Sequence, residues 1–151
     1  MKTIYFDSAA TTSLNEEVID VMTNSLKNNF GNPSSSHSYG RNSKAVVETC
    51  RKEIAKRLNA EPSEIIFTSA GTEGDNLVLQ SAVKSLEVKH IITSKIEHHA
   101  VLHTIQELGK NENISVSYFK LDENGDVDLD DLEELLESST ENSLVCLMYV
   151  N

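Results

Sequence analysis

Apolar residues recur along this chain at two spacings, and the alternation between the spacings lays out its elements. Ile4-Tyr5-Phe6 is a short apolar run that predicts a strand, ended by Asp7-Ser8-Ala9-Ala10-Thr11-Thr12. Asn15 stands where a helix cap is needed, with Val18, Val21, Met22 and Leu26 at helical spacing behind it. Phe30-Gly31-Asn32-Pro33-Ser34-Ser35-Ser36 reads as a loop, because Gly, Asn, Pro and Ser each favour turn backbone. A second helix, from about Gly40 to Asn59, places Val46, Val47, Cys50, Ile54 and Leu58 on one face. Glu64-Ile65-Ile66-Phe67-Thr68 predicts a strand, and Ser69-Ala70-Gly71-Thr72 punctuates it before a helix carrying Leu77, Val78, Ala82 and Val83. His90-Ile91-Ile92-Thr93 predicts the next strand, and His99 to Leu108 a helix with Val101, Leu102, Ile105 and Leu108. Ile114 to Phe119 alternates as a strand does, Asp128 to Leu136 is an acidic helix with Leu132, Leu135 and Leu136 turned inward, and Leu144 to Val150 is a last buried strand.

From Glu64 onward the order is strand, helix, strand, helix, strand, helix, strand. That order predicts an α/β fold with a mostly parallel sheet flanked by helices. In such sheets ligands gather at the carboxyl ends of the strands. Residues 1–30 form an N-terminal segment and helix, 31–60 a loop and helix, and 61–151 the start of the sheet. The chain stops directly after a strand, where a parallel strand normally continues into a crossover helix, so the ending is expected to be a truncation.

Composition narrows the class of protein. The 151 residues suit one soluble globular domain, with 38% hydrophobic and 25% charged positions. A net charge of −11 repels polyanions, so nucleic acid is not an expected partner. No apolar h-region opens the chain and no stretch reaches a membrane-spanning length, so neither a signal peptide nor a membrane partner is expected. Cys50 and Cys146 lie far apart and form no CxxC, which points to a reduced cytoplasm.

Two segments carry candidate chemistry. Thr68 to Asn76 joins a strand to a helix with small residues, and the first helical turn offers unpaired amides and the positive end of the dipole to a phosphate. Ser69 and Thr72 add hydroxyl donors. A plain turn, capped by Ser69 or Thr72, is the competing reading. Neither the Walker ending nor a GxGxxG frame is present. The second segment holds His98, His99 and His103. His99 and His103 are four apart and, on a helix, within reach of one ion, but the spacing matches no standard metal frame, and no metal is expected. A solvated helix start and a flat ring stacked on an aromatic cofactor both remain open for these histidines.

Other features point away from chemistry. Asp122 to Asp128 imitates a calcium loop, with Glu133 at its twelfth position, yet Val127 occupies the position that needs glycine; a glycine turn into an acidic helix is expected instead. Cys50 is expected in the core of its helix face and Cys146 in a buried strand. Lys95 has nothing local to desolvate it and is expected to be a loop lysine.

Five ordered blocks resemble a known family. Ile4 to Thr12 resembles the opening YLDxAATT of NifS/IscS-type cysteine desulfurases, within the class V aminotransferase-like enzymes. Phe30 to Ser35 resembles their FGNPSS, Ile66 to Asn76 their IxFTSGATESDN, Ile91 to Val101 their IITSxxEHxAV, and Met148 to Asn151 the start of M-x-V/A-N-N-E. The resemblance implies the incomplete large domain of a fold-type I pyridoxal-phosphate-dependent transferase, with the remainder of that domain and the small C-terminal domain absent. It implies pyridoxal 5'-phosphate as cofactor, with Gly71 and Thr72 on its phosphate and His98 stacked on its ring and assisting proton transfer. It further implies a cytoplasmic homodimer that takes sulfur from L-cysteine, leaves L-alanine, and passes a persulfide to an acceptor protein such as an iron–sulfur scaffold. Ala70-Gly71 inverts the family's Gly-Ala order, and Gly74 replaces a common Ser. The family's cofactor-contacting second Asn, its ring-facing Asp and Gln, its cofactor-anchoring Lys and its persulfide-forming Cys lie beyond Asn151, so these 151 residues alone are expected to be inactive. The rivals are another enzyme of the superfamily, such as a selenocysteine lyase or an aminotransferase, and a non-catalytic α/β binding module.

Overall fold

The computed structural model describes residues 3–149, and the chain divides into two compact units, Met1–Phe67 and Thr68–Asn151. The first unit is helical. Helix α1 (Glu16–Asn28) starts as expected: the Asn15 side chain accepts the Glu17 N–H at 2.8 Å, and Glu16 and Glu17 sit at the positive end of the dipole. Its apolar positions Val18, Val21, Met22 and Leu26 are nevertheless all exposed.

The expected strand at Ile4-Tyr5-Phe6 does not form. The segment is irregular, and the Tyr5 hydroxyl donates to the carbonyls of Asp7 and Thr11, at 2.9 and 3.1 Å. A three-residue apolar run is a strand only when another strand pairs with it, and none does so here among the described residues.

Helix α2 (Ser38–Leu58) begins two residues before the expected Gly40. The His37 side chain accepts the Gly40 N–H, and Asn59 ends the helix in the left-handed region, at φ 52°. Its buried positions are the small residues Gly40, Ser43 and Ala55. A Cβ on Gly40 would collide with the carbonyls of Asn32 and Ser35, so the loop lies directly on the helix start. The expected apolar face is uncovered: Val46, Ile54, Leu58 and Cys50 are exposed, which corrects the reading of Cys50 as a core residue.

Glu64 to Thr68 is not a strand either. Pro62–Glu64 is a single 3-10 turn closed by reciprocal capping of Glu61 and Glu64. Residues 65–68 then run without a ladder partner. The Arg51 guanidinium donates to the Ile65 carbonyl and lies 4.8 Å from the centre of the Phe67 ring, fixing the segment to α2.

The second unit is the α/β part. Strands β1 (His90–Thr93), β2 (Ser115–Tyr118) and β3 (Ser143–Val145) form a parallel sheet in the order β2-β1-β3, with His90 opposite both Ser115 and Ser143. Around it stand helices α3 (Gly71–Ser85), α4 (His99–Leu108) and α5 (Leu129–Glu137). With right-handed crossovers, the connections β1–α4–β2 and β2–α5–β3 cross the sheet in opposite directions and lay α4 and α5 on opposite faces. Strand β1 is buried throughout. Ile91 and Ile105, both fully buried, centre a core with Leu79, Ala82, Val88 and Ile114. Beside it the buried His90 ring joins the three strands, its two nitrogens 2.8 Å from the Ser117 hydroxyl and 3.2 Å from that of Ser143.

Three expectations shift here. Helix α3 buries Leu79 and Ala82 and exposes Leu77 and Val78, because it is rotated toward α4. On α5, Leu132 and Leu135 are half-buried while Leu136 is exposed. Strand β3 ends at Val145, and Val150 lies outside the described residues. The calcium-like segment is the expected glycine turn. Gly125 has φ +88°, and the Asp122 carboxylate accepts the Asn124 and Asp126 amides at 2.8 and 2.9 Å. Those bonds, the Asp126 amide foremost, hold its carboxyl below the usual range.

Candidate active site

The site is built at the two ends where α3 begins and β1 stops. Ala70 precedes α3 in an extended conformation and supplies no side-chain cap, so neither Ser69 nor Thr72 is the N-cap. Among the described residues no protein group accepts from the amides of Gly71, Thr72 or Glu73. A Cβ placed on Gly71 would meet nothing within 4 Å, so the space before these amides is open. The Ser69 hydroxyl, expected to face a phosphate, is taken instead: it and the Ser69 amide both donate to Glu73 at 2.6 Å. The hydroxyl bond, then the amide bond, keep the Glu73 carboxyl below its ordinary value and therefore charged.

Asn76, one turn into α3, ties this terminus to α4. Its Nδ2 donates to the Thr72 carbonyl at 2.8 Å, and its Oδ1 lies 2.8 Å from the Thr104 hydroxyl. The second end is the turn after β1. Ser94 and Glu97 are buried there, and one Glu97 carboxylate oxygen accepts from the Ser94 hydroxyl at 3.3 Å and from the Met148 amide at 2.8 Å. That carboxylate anchors the turn to the segment following β3. The next residue, His98, caps α4: its Nδ1 accepts the Ala100 N–H at 3.1 Å. An Nδ1 that accepts a bond leaves the proton of the neutral ring on Nε2. The ring is thus fixed in tautomer and direction by the helix it starts.

These pieces meet. Thr72 and His98 line one groove of about 520 Å³, together with Asn76, Gln80, His99 and His103. Gly71, the first residue of α3, directly precedes Thr72 but is not itself among the lining residues. Asn76 and Glu97 are positioning residues that received no role from the sequence. Each lies within a recognisable block, but each acts through a partner far along the chain.

The remaining candidates stay apart from this groove. Lys95 is exposed, with its Nζ 5.9 Å from the centre of the Tyr118 ring, so nothing desolvates it. Cys146 follows β3 half-buried, and burial first, then Glu97 and Asp75, push its thiol up to about 11. Such a thiol holds its proton at neutral pH and is a poor nucleophile. Among the described residues no three His, Cys, Asp or Glu side chains converge as a metal-ligand group, and no helix is long and apolar enough to cross a membrane.

A parallel sheet flanked by helices, with a groove between α3 and α4 that reaches the turn after the central strand, is an α/β architecture of the kind that seats ligands near strand ends. The aminotransferase class-V family model matches residues 4–151, and the chain belongs to that family. It is 44% identical over 153 residues to cysteine desulfurase IscS of Dictyoglomus turgidum, covering 98% of this chain and 37% of that protein. It is 45% identical over 154 residues to putative cysteine desulfurase IscS 1 of Bacillus subtilis, covering 100% of this chain and 40% of that one. Among solved structures, a NifS-like protein superposes with a TM-score of 0.84 at 36% identity, over 94% of this chain and 39% of its own. SspA in complex with cysteine gives 0.84 at 34% identity, over 99% and 43%. The chain therefore spans about two fifths of the length of the curated relatives it matches.

The fold is that of fold-type I enzymes, and the family uses pyridoxal 5'-phosphate. The residues present fit that group. Three unclaimed amides at a helix N-terminus, with open space before Gly71, suit a dianionic phosphate. Thr72 adds a hydroxyl, and His98 offers an exposed ring with a fixed tautomer.

Proposed function

We propose that this chain serves a pyridoxal-phosphate-dependent cysteine desulfurase, which takes sulfur from L-cysteine, leaves L-alanine, and passes a persulfide to an acceptor protein such as an iron–sulfur scaffold. The observation that carries this reading is the placement of Thr72 and His98 on one groove beside the unclaimed Gly71–Glu73 amides. The likeness to relatives named cysteine desulfurase supports the substrate. When bound, the cofactor supplies an electron sink for carbanion chemistry.

The chain's own residues would do the following. The amides of Gly71, Thr72 and Glu73 hold the phosphate. Asn76 keeps Thr72 in place through its carbonyl. His98 lies against the ring, and its Nε2 is the nitrogen that can exchange a proton, because Nδ1 is engaged by the Ala100 amide. A ring-contacting His98 is in that sense the catalytic residue within this chain. Glu97 and the Ala100 cap prevent it from turning.

The active protein is a cytoplasmic homodimer in this reading, with neither nucleic acid nor membrane among its partners; two free cysteines and the net charge of −11 support that setting. The 151 residues by themselves are inactive in the same reading, since Cys50, Cys146 and Lys95 cannot replace the family's cysteine and lysine. An assay of alanine and sulfide from L-cysteine, with added pyridoxal 5'-phosphate and a thiol reductant, tests both parts. A protein carrying these segments together with the later family blocks is expected to yield the two products in equal amounts, and the 151-residue chain none above free cofactor. Turnover by the short chain, or failure of the longer protein to bind the cofactor, would overturn the reading.

A further inference from the structure

We propose that His99 and His103 form a two-histidine clamp for a late first-row divalent metal ion, of which Zn2+ is the probe, on the α4 wall of the groove. The two residues are four apart on one helix, so their side chains rise from the same face. Both are exposed, their ring centres are 5.2 Å apart, and the planes are tilted by 34°. With metal–nitrogen bonds of about 2.0–2.1 Å and a tetrahedral angle, two imidazole rings on one ion have centres about 5 Å apart. The observed separation already meets that demand. Among the described residues no hydrogen bond engages either ring, so their nitrogens are free.

His98 is not part of the clamp. Its Nδ1 is held by the Ala100 amide, and its ring centre is 6.3 Å from that of His99 at a 57° tilt. The metal site is therefore distinct from the phosphate-binding amides and does not depend on them. No third His, Cys, Asp or Glu completes the set among the described residues, so water fills the remaining positions of the ion. The net charge of −11 favours a cation on this surface, while Glu107, one turn beyond His103 on the same groove, is paired with Lys110 and adds little. Imidazole ligands select zinc, copper, nickel or cobalt over calcium and magnesium, which prefer oxygen.

The test is calorimetric titration of ZnCl2 into the untagged 151-residue chain carrying Cys50→Ser, so that the exposed thiol contributes nothing. One ion per chain is expected. His99→Ala and His103→Ala, with far-UV circular dichroism confirming an intact helix content, should each weaken binding at least about tenfold. Gln106→Ala, on the same helix, should leave it unchanged. No zinc binding by the parent chain overturns the proposal. So does undiminished binding by either histidine variant, or an equal loss in Gln106→Ala.

Discussion

Replacing Ile91 with alanine is expected to lower the unfolding free energy by about 2–5 kcal/mol, the usual range for removing a buried aliphatic side chain that leaves a cavity. Ile91 has no exposure, lies on the central strand, and packs in one cluster with Leu79 and Ala82 of α3 and Ile105 of α4. Its neighbours are held by the sheet on one side and two helices on the other, so the cavity cannot readily collapse. Val78→Ala, one residue before Leu79 but 61% exposed, should change stability by no more than about 0.5 kcal/mol. Urea unfolding of the two variants beside the parent measures the contrast. Equal effects would mean that α3 does not present the face described above.

Gly71→Asp should separate stability from ligand binding. A carboxylate in the first turn interacts favourably with the helix dipole by about 0.3–1 kcal/mol. The space around Gly71 is open, so the side chain fits without strain. The same carboxylate competes for the amides of the first turn and repels an incoming phosphate. Affinity for pyridoxal 5'-phosphate should therefore fall by about 10- to 100-fold, a cost of about 1.4–3 kcal/mol. Equilibrium dialysis for affinity, with thermal unfolding for stability, reads the two effects. A variant that binds the cofactor as tightly as the parent would show that the phosphate does not meet this terminus, and a destabilised one that the first turn does not accept the carboxylate as described.

Much of the second unit was legible in the sequence because its signals are local. His90–Thr93 and His99–Leu108 form as expected, since each is an apolar pattern bounded by its own turn or cap. Asn15 likewise caps the helix it precedes, and the acidic helix expected from Asp128 forms one residue later with Asp128 as its cap. The failures share a cause. Ile4-Tyr5-Phe6 and Glu64 to Thr68 are apolar enough for strands, but a strand is defined by a neighbour that local sequence does not name. On α2, apolar spacing identified the helix and chose the wrong face, because Gly40, Ser43 and Ala55 are buried by close approach and not by hydrophobic content. The site shows the same division. Gly71, Thr72 and His98 are small or ring-bearing residues at predictable element ends. Asn76 and Glu97 act through Thr104 and Met148, 28 and 51 residues away, and no spacing rule reaches that far. The last block of the family resemblance ends on Val150 and Asn151, which lie outside the described residues.

Amide and imidazole resonances of this chain, followed while pyridoxine 5'-phosphate is added and then compared with pyridoxine, would locate the phosphate and the ring separately. The phosphate ester lacks the aldehyde and so cannot react with lysines. Saturable shifts at the Gly71, Thr72 and Glu73 amides with the ester alone, and at the His98 ring with it, are expected. Shifts centred elsewhere, or the same shifts at those amides with and without the phosphate, would contradict the assignment of this helix terminus as the anion site.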